Sequence, residues 1–434
     1  MTTIADPLTL KCGQMLPNRL CKAAMTEGLA DPYGVSDERL VRLYTRWAKG
    51  GTGLLLTGNV IVDGAHLERA GNVVIDRPPS PAMEAGLKAW SAAAKSAGGK
   101  VWMQLSHGGR QTQKAVNPLP KAPSAVKLEG PPGMSFGEPV AMTVGEIESV
   151  IEAFARAAKV AEDCGFDGVQ IHGAHGYLLS QFLSPKANRR DDDWGGSLEN
   201  RARLLLTIVE RVKAQAGDGF AVAVKLNSAD FQRGAFEAQD SERVASWLNE
   251  RGIDLLEVSG GTYEDAAMMG MAKSQRDKKQ QRTAAREAYF LDFAPKMRAA
   301  APNVALMVTG GFRTRAAMDA ALADDGIDVI GLGRPLLADP EGSAKLLAGE
   351  AALPRIEREF RIGPGWLSPQ SPIRIVRMLN MGAVHSWTYE QMDRMGEGLD
   401  PDDGSKLLGA FGAMKRRDAA KLKAMQEAGT VPTA

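Results

Sequence analysis

The chain has 434 residues, 44% of them hydrophobic and 24% charged, which is ordinary for a globular enzyme with a large buried core. Its 53 basic and 52 acidic side chains nearly balance, so we expect neither nucleic acid nor an anionic membrane surface as a partner. Three cysteines without a C-x-x-C pair indicate no disulfide framework and no iron–sulfur cluster, and with no leader pattern at the N-terminus they favour a cytoplasmic location.

Strand-like apolar runs alternate with helix-length amphipathic segments up to residue 349. Such alternation is typical of βαβ units and a parallel sheet. We predict eight strands, at residues 20–22, 54–57, 101–105, 168–172, 222–226, 255–259, 305–309 and 329–332. Eight units predict an α/β fold, a closed TIM (β/α)8 barrel, that occupies residues 1–349.

Residues 350–434 form a predicted C-terminal extension that packs on the barrel or on a partner subunit, so a homo-oligomer stays open. The competing architecture for the first part is an open doubly wound sheet. We disfavour that sheet because no strand leads into a G-x-G-x-x-G turn with an acidic residue at the required distance. In a barrel, by contrast, functional groups lie on the loops that follow the strands.

Two predicted helices carry start signals. Thr143 and Glu146 have the spacing of a capping box, and apolar residues then recur at helical intervals until Gly165. Ser197 is the predicted N-cap of a second helix, which ends before Gly217. These signals support the alternation of strands and helices that a barrel requires.

The loop after the fourth predicted strand concentrates imidazole and phenol groups. It presents His172, His175 and Tyr177 within six residues, immediately past the buried run 169–171. Imidazoles can donate hydrogen bonds to an oxygen that gains negative charge, and a phenol can deliver a proton. The alternative is an ordinary polar loop, but two of the chain's five histidines fall here. The pattern favours acid-assisted chemistry on a carbonyl-like substrate.

The loops after the last two strands have the composition of a phosphate site. The segment VTGGFRT contains Gly310 and Gly311, and the segment GLGRPLLADP contains Gly333 and Arg334. Glycine lets backbone N–H groups approach a phosphate, and arginine adds charge-assisted hydrogen bonds. Because TIM barrels commonly hold phosphate on these two loops, the pair predicts a phosphate-bearing ligand.

One long motif resembles a known family. HGAHGYLLSQFLSP followed by NRRDDDWGGSLENR is similar to the signature of the Old Yellow Enzyme family, the FMN-dependent NAD(P)H:flavin oxidoreductases and ene-reductases. With QLSHGGRQ and SGGTYE, the resemblance covers roughly residues 8 to 345. It implies FMN bound at the barrel mouth, NADPH or NADH as a transient hydride donor, and a small electron-poor alkene, such as an enone, enal or nitroalkene, as the substrate.

The resemblance also assigns residues to the flavin ring. It puts Met25 on the ring face, Thr26 near O4, Gly58 where the backbone approaches the ring, and Gln104 on the pyrimidine edge. Without the family context, Met25 would be a core residue, and Thr26 and Gly58 would be turn residues. Lys225 ends an apolar run and needs a partner, which is the flavin N1 region or, alternatively, a barrel carboxylate. Many family members have arginine here; lysine keeps the positive charge but lacks the planar fork of a guanidinium.

The remaining implied roles concern the acceptor. His172 and His175 polarise its oxygen, Tyr177 protonates its α-carbon, and Ser106 and Tyr263 line its pocket. Two other functions are weighed. A metal-dependent barrel hydrolase would use a histidine set that includes His107, but no strand-end carboxylate completes it, so we expect no metal. The second of these functions is that of a flavin-binding protein that does not turn over a substrate.

Overall fold

The computed structural model describes residues 1–128, 131–230, 232, 234–260, 290–354, 361–363, 365–368, 371–402 and 407–432. Eight parallel strands form its centre, and each overlaps a predicted strand. We label them β1 (Leu20–Lys22), β2 (Leu54–Ile61), β3 (Lys100–Ser106), β4 (Gly168–Gly173), β5 (Ala221–Asn227), β6 (Leu255–Ser259), β7 (Ala305–Thr309) and β8 (Val329–Leu332).

The sheet closes on itself. Each strand pairs in parallel with its neighbours in sequence, and β1 pairs with both β2 and β8. The register at closure sets Cys21 beside Leu54 on one side and beside Gly331 on the other. This is the closed (β/α)8 barrel that the sequence predicts, so the predicted fold class is confirmed.

Helices surround the barrel or extend from it. In chain order they are α1 (Glu38–Lys49), α2 (Pro81–Ala94), α3 (Val144–Asp163), α4 (Leu178–Leu183), α5 (Leu198–Gln215), α6 (Ala238–Glu250), α7 (Ala294–Ala300), α8 (Arg315–Asp324), α9 (Pro335–Ala338), α10 (Gly342–Leu347), α11 (Arg374–Gly396) and α12 (Leu407–Glu427). Within the described ranges, no helix combines the length and the apolar character that a bilayer crossing needs.

The two predicted helix caps are present. At the start of α3, the Glu146 backbone N–H donates to Thr143 Oγ1 at 3.2 Å and the Thr143 N–H donates to the Glu146 carboxylate at 2.8 Å. Ser197 caps α5 by accepting from the Asn200 N–H at 3.2 Å. Each cap satisfies backbone N–H groups that have no partner within the helix, a contribution of about 1 kcal/mol.

A short hairpin closes the N-terminal end of the barrel. Its strands, Leu8–Thr9 and Met15–Leu16, flank Gln14, whose amide nitrogen donates to the carbonyls of Asp167 and Gly219 at the starts of β4 and β5. Leu16 packs with the inward-facing side chains of the strands. The lower half of the barrel is therefore solid apolar core, and a ligand can enter only at the other end, where the strands terminate.

Helices α11 and α12 lie against the loops at that open end. Lys421 of α12 donates to the carbonyl of Gly28 at 2.6 Å, and Arg42 of α1 donates to the carbonyl of Gly396 at the end of α11, also at 2.6 Å. The extension thus contacts the barrel of its own chain. The domain boundary at residue 349 stays a prediction.

Candidate active site

Strand β4 delivers the predicted catalytic loop to the barrel mouth. His172 lies in the strand and is 2% exposed, His175 follows in the loop, and Tyr177 caps α4. The backbone of His175 is left-handed, with φ at +61°, the only positive φ at a non-glycine residue in the described part of the chain. Such a conformation costs free energy and concentrates at functional sites, where the surrounding structure imposes it.

The three rings are in contact. His172 lies between the other two, with ring centroids 5.1 Å from His175 and 5.0 Å from Tyr177, both edge-to-face. The Ala174 N–H donates to His172 Nδ1 at 3.2 Å, which leaves the proton of the neutral ring on Nε2. His175 Nε2 lies 2.7 Å from Ser259 Oγ. If the serine hydroxyl donates there, His175 carries its proton on Nδ1.

Both imidazoles are neutral near pH 7. Burial lowers the pKa of His172 well below its usual value, and His175 and the Lys225 ammonium lower it further. Burial and Lys225 have the same effect on the pKa of His175. Each ring therefore offers one N–H donor and carries no charge, which suits it to bind an oxygen rather than to release a proton.

A chain of buried polar side chains crosses the top of the barrel interior. Gln104 donates to Gln170 at 2.6 Å, Gln170 donates to Glu257 at 2.8 Å, and Thr309 donates to the other oxygen of Glu257 at 2.7 Å. That oxygen also lies 3.0 Å from Lys225 Nζ. Lys225 therefore has a barrel carboxylate, Glu257, as one partner, and its contact with the flavin stays a prediction.

Sequence reasoning missed Glu257, which is fully buried. The signal was present, because a single acidic residue interrupts the apolar strand β6 just as Lys225 interrupts β5. The two residues are Cα partners in the parallel register. Opposite charges inside adjacent predicted strands could have identified the pair.

The segment after β1 lies directly on Gly58. The Gly58 N–H donates to Glu27 at 2.8 Å, and a Cβ at position 58 would lie 2.4 Å from the Met25 carbonyl oxygen and 2.7 Å from Thr26 Cα. Gly58 was expected after the second strand, but β2 continues to Ile61 and the glycine sits at its irregularity between Leu56 and Asn59. Its lack of a side chain serves the approach of the segment at residues 25–27.

The two predicted phosphate loops lie at the ends of β7 and β8. Gly310 and Gly311 have φ values of +108° and +97°, conformations that glycine adopts without strain. Arg334 directly precedes α9, and among the described residues a Cβ on Gly333 would come within 4 Å only of the sulfur of Met25, at 3.6 Å. The predicted phosphate loop and the predicted ring-face methionine are therefore neighbours.

Buried polar atoms without partners mark the same end of the barrel. Ser106, the last residue of β3, is fully buried and its Oγ has no hydrogen-bond partner in the described part of the chain; the same holds for Asn59 Oδ1 on β2. A native protein rarely leaves such atoms unsatisfied. With the glycine loops, they fit a planar, polar ligand that carries a phosphate, as FMN does.

The structure does not support the histidine set of the metal-dependent alternative. His107 stacks on His66 at 4.3 Å, beside Asp63, and not with the two loop histidines. His66 Nε2 accepts from the Lys121 N–H and His107 Nδ1 accepts from the Gly109 N–H. A metal bound to His66 Nδ1 and His107 Nε2 would leave both rings without a proton. Metal-bound histidines normally donate a hydrogen bond with their second nitrogen.

Tyr263, predicted to line the acceptor pocket, lies outside the described residues. Apart from Gly58, which lies inside β2, the other predicted site residues lie on loops or towards the strand ends at the open end of the barrel. The loops are tied together by Gln181, which donates to Gly176 at 2.7 Å and accepts from the Arg110 N–H at 3.1 Å. Tight coupling of this kind keeps the donors of a site in place before a ligand binds.

Comparison with known proteins gives relatives over most of the chain. The profile of the NADH:flavin oxidoreductase / NADH oxidase family matches residues 3–351. The NADH-dependent flavin oxidoreductase iliE of Hypocrea jecorina (strain QM6a) is 36% identical over 357 residues, covering 77% of this chain and 86% of that protein. The iliE protein of Neonectria sp. (strain DH2) is 39% identical over 349 residues, and the chain spans only 45% of its length.

Solved structures resemble the barrel. The old yellow enzyme homologue from Zymomonas mobilis is 25% identical with a TM-score of 0.67, and the match covers 82% of this chain and 95% of that one. Morphinone reductase in complex with tetrahydroNAD is 26% identical with a TM-score of 0.65, covering 81% of this chain and 92% of that one.

Proposed function

Because the chain belongs to the NADH:flavin oxidoreductase / NADH oxidase family, we propose that it reduces activated C=C bonds in enones, enals or nitroalkenes. Family membership confirms the predicted Old Yellow Enzyme relationship, and with it FMN as the cofactor and NAD(P)H as the reductant. The balanced reaction consumes one NAD(P)H, one proton and the alkene, and yields NAD(P)⁺ and the saturated product.

When bound, FMN takes hydride from NAD(P)H and passes it to the acceptor. The residues that would hold it are Gln104 and Lys225 at the ring, with Met25 and Thr26 on the segment after β1. Its phosphate would be held by the glycine loops, namely Gly310, Gly311 and Gly333, with Arg334.

In this proposal the two neutral imidazoles bind the carbonyl or nitro oxygen of the acceptor. His172 would donate from Nε2 and His175 from Nδ1, with Ser259 and the Ala174 N–H holding the tautomers. Negative charge grows on that oxygen as hydride arrives at the β-carbon, so fixed donors lower the barrier. Tyr177, in contact with His172, would then protonate the α-carbon.

The cluster of Tyr177, His172 and His175 at the barrel mouth, in which His172 contacts both other rings, carries this proposal. It is tested by anaerobic reduction with NADH or NADPH, followed by addition of cyclohexenone. Bleaching followed by recovery of the flavin bands supports alkene reduction. Bleaching without recovery with any enone, enal or nitroalkene would refute it, and a protein that is yellow but does not bleach would be a flavin-binding protein without turnover.

Tyr177→Phe separates the two halves of the reaction. Hydride transfer from NAD(P)H needs no proton donor, so anaerobic bleaching should stay nearly intact. Recovery with an enone should slow by about 10²–10⁴, the usual contribution of a positioned general acid, or roughly 3–5 kcal/mol of barrier. Phenylalanine preserves the ring packing, so a loss of both half-reactions alike, in stopped-flow traces, would contradict the assigned role.

Two finer expectations belong to the same proposal. The cysteine content, with Cys21 and Cys164 reduced and Cys21 fully buried, suits a reducing, cytoplasmic setting. Small electron-poor alkenes, rather than macromolecules, are the expected partners.

A further inference from the structure

A cavity of about 150 Å³ lies between the barrel mouth and the C-terminal helices. Its barrel wall includes Glu68, Arg69 and Tyr177, and its opposite wall includes Tyr389 of α11 and Asp418 of α12. The family profile ends at residue 351. The outer wall therefore comes from a part of the chain that the family match does not reach.

This cavity adjoins residues of the candidate active site. Tyr177 lines it, and Gln111, another lining residue, donates to the carbonyl of His175 at 3.1 Å. Thr26, on the segment after β1, hydrogen-bonds to the Glu68 carboxyl. An acceptor held by the loop histidines would extend its distal end into this space.

Arg69 connects the two walls. It donates to Asp418 from Nε at 3.2 Å and from Nη2 at 2.7 Å, and its guanidinium carbon lies 3.1 Å from the centroid of the Tyr389 ring. The side chains of Arg69 and Asp418 are only 6% and 25% exposed. The arginine charge is therefore neutralised and covered before any acceptor binds.

Two buried polar atoms of the barrel wall have no hydrogen-bond partner in the described ranges, namely Arg69 Nη1 and Glu68 Oε2. Arg69 Nη1 is a donor. Burial raises the pKa of the Glu68 carboxyl, opposed by hydrogen bonds from Thr26 and Asn72 and by the Arg69 charge. A hydroxyl can accept from an arginine N–H and donate to a carboxylate oxygen, so its chemistry complements these two atoms.

Resting on the proposed function, we propose that this cavity is a recognition site for a neutral, hydroxyl-bearing part of the acceptor, with Arg69 and Glu68 as the binding groups. Asp418, from the C-terminal extension, sets the selectivity. By occupying two of the arginine's donors and cancelling its charge, it disfavours acceptors that carry a carboxylate in the same place, since a buried anion needs a counter-charge.

The test uses three acceptors with one reactive group, namely cinnamaldehyde and its para-hydroxy and para-carboxy derivatives. With the holoenzyme at neutral pH, the hydroxy compound should have the highest kcat/KM and the carboxy compound the lowest. Asp418→Asn releases Arg69, so the carboxy compound should gain about ten- to a hundredfold relative to cinnamaldehyde, the magnitude of one charge-assisted hydrogen bond.

Asp400→Asn is the matched control. Asp400 also joins the extension to the barrel, through an ion pair with Arg46 at 2.5 Å, but it is 85% exposed and does not line the cavity. This variant should preserve the ranking of the parent. If Asp418→Asn shifts all three acceptors equally, or if the parent prefers the carboxylate, the inference is wrong.

The two proposals fail differently. If neither these aldehydes nor any other enone, enal or nitroalkene reoxidises the reduced flavin, alkene reduction is refuted, yet calorimetric titration of the oxidised holoenzyme with the same three compounds still tests the cavity. If cinnamaldehyde is reduced normally but the remote substituent has no effect on rate or on Kd, alkene reduction stands and the recognition site is refuted. The parent enzyme alone supplies this ranking if Asp418→Asn does not fold.

Discussion

The buried pair Lys225–Glu257 offers a quantitative test of the barrel interior. The two side chains are 6% and 0% exposed, and their charged atoms are 3.0 Å apart. Lys225→Met removes the cation with little change in shape. It leaves the Glu257 carboxylate inside the barrel with hydrogen bonds but no counter-charge, which costs about 3–5 kcal/mol.

The lower end of that range is the better estimate. Gln170 and Thr309 continue to donate to the Glu257 carboxylate, so it loses its charge partner but not its hydrogen bonds. We therefore expect Lys225→Met to lower the free energy of unfolding by about 3 kcal/mol. Adding Glu257→Gln removes the second charge and should recover most of that loss, because an uncharged amide needs no counter-ion and Gln170 and Thr309 can still hydrogen-bond to it.

Urea unfolding of the parent, both single variants and the double variant, followed by tryptophan fluorescence, completes a double-mutant cycle. The coupling free energy between the two charges is obtained from the changes in unfolding midpoint at constant m-value. Losses that simply add in the double variant would show that the two charges do not interact, and the assignment of Glu257 as the partner of Lys225 would then be wrong.

Three further substitutions test the cofactor and acceptor positions. Arg334→Ala should weaken FMN retention on dialysis by about ten- to a hundredfold, as expected for the loss of a charge-assisted bond, while Arg298→Ala, which breaks an ion pair to Asp328 instead, should not. Gly58→Ala should destabilise the fold by about 1–3 kcal/mol, measured by urea unfolding, because its Cβ would overlap the Met25 carbonyl. Ser106→Ala should leave apoprotein stability unchanged but raise the acceptor Kd about two- to tenfold, and an unchanged Kd would remove Ser106 from the pocket.

The sequence predicted the barrel because its evidence is local. A strand of a parallel barrel is buried on both faces, so each one appears as a short apolar run, and the predicted boundaries lie within a few residues of those observed. β2 is the largest deviation. Thr57, Gly58 and Asn59 interrupt its apolar run, yet the strand continues to Ile61 around an irregularity that fits the neighbouring segment.

The predicted catalytic loop was equally accessible, since His172, His175 and Tyr177 are close in sequence and lie at and just after the end of one strand. The partner of Lys225 was accessible only as a candidate. Glu257 interrupts the neighbouring predicted strand, but it is the register of β5 against β6 that sets the two residues side by side.

By itself, then, the sequence determined the fold class and the set of candidate site residues that follow the strands, because these depend on periodicity and on the order of residues along short segments. Only the tertiary structure decided what lies opposite that loop. Arg69 and Asp418 are 349 residues apart, and no local pattern links them. Their contact exists because the C-terminal helices pack across the barrel mouth, and that packing depends on the shapes of both surfaces rather than on either segment alone.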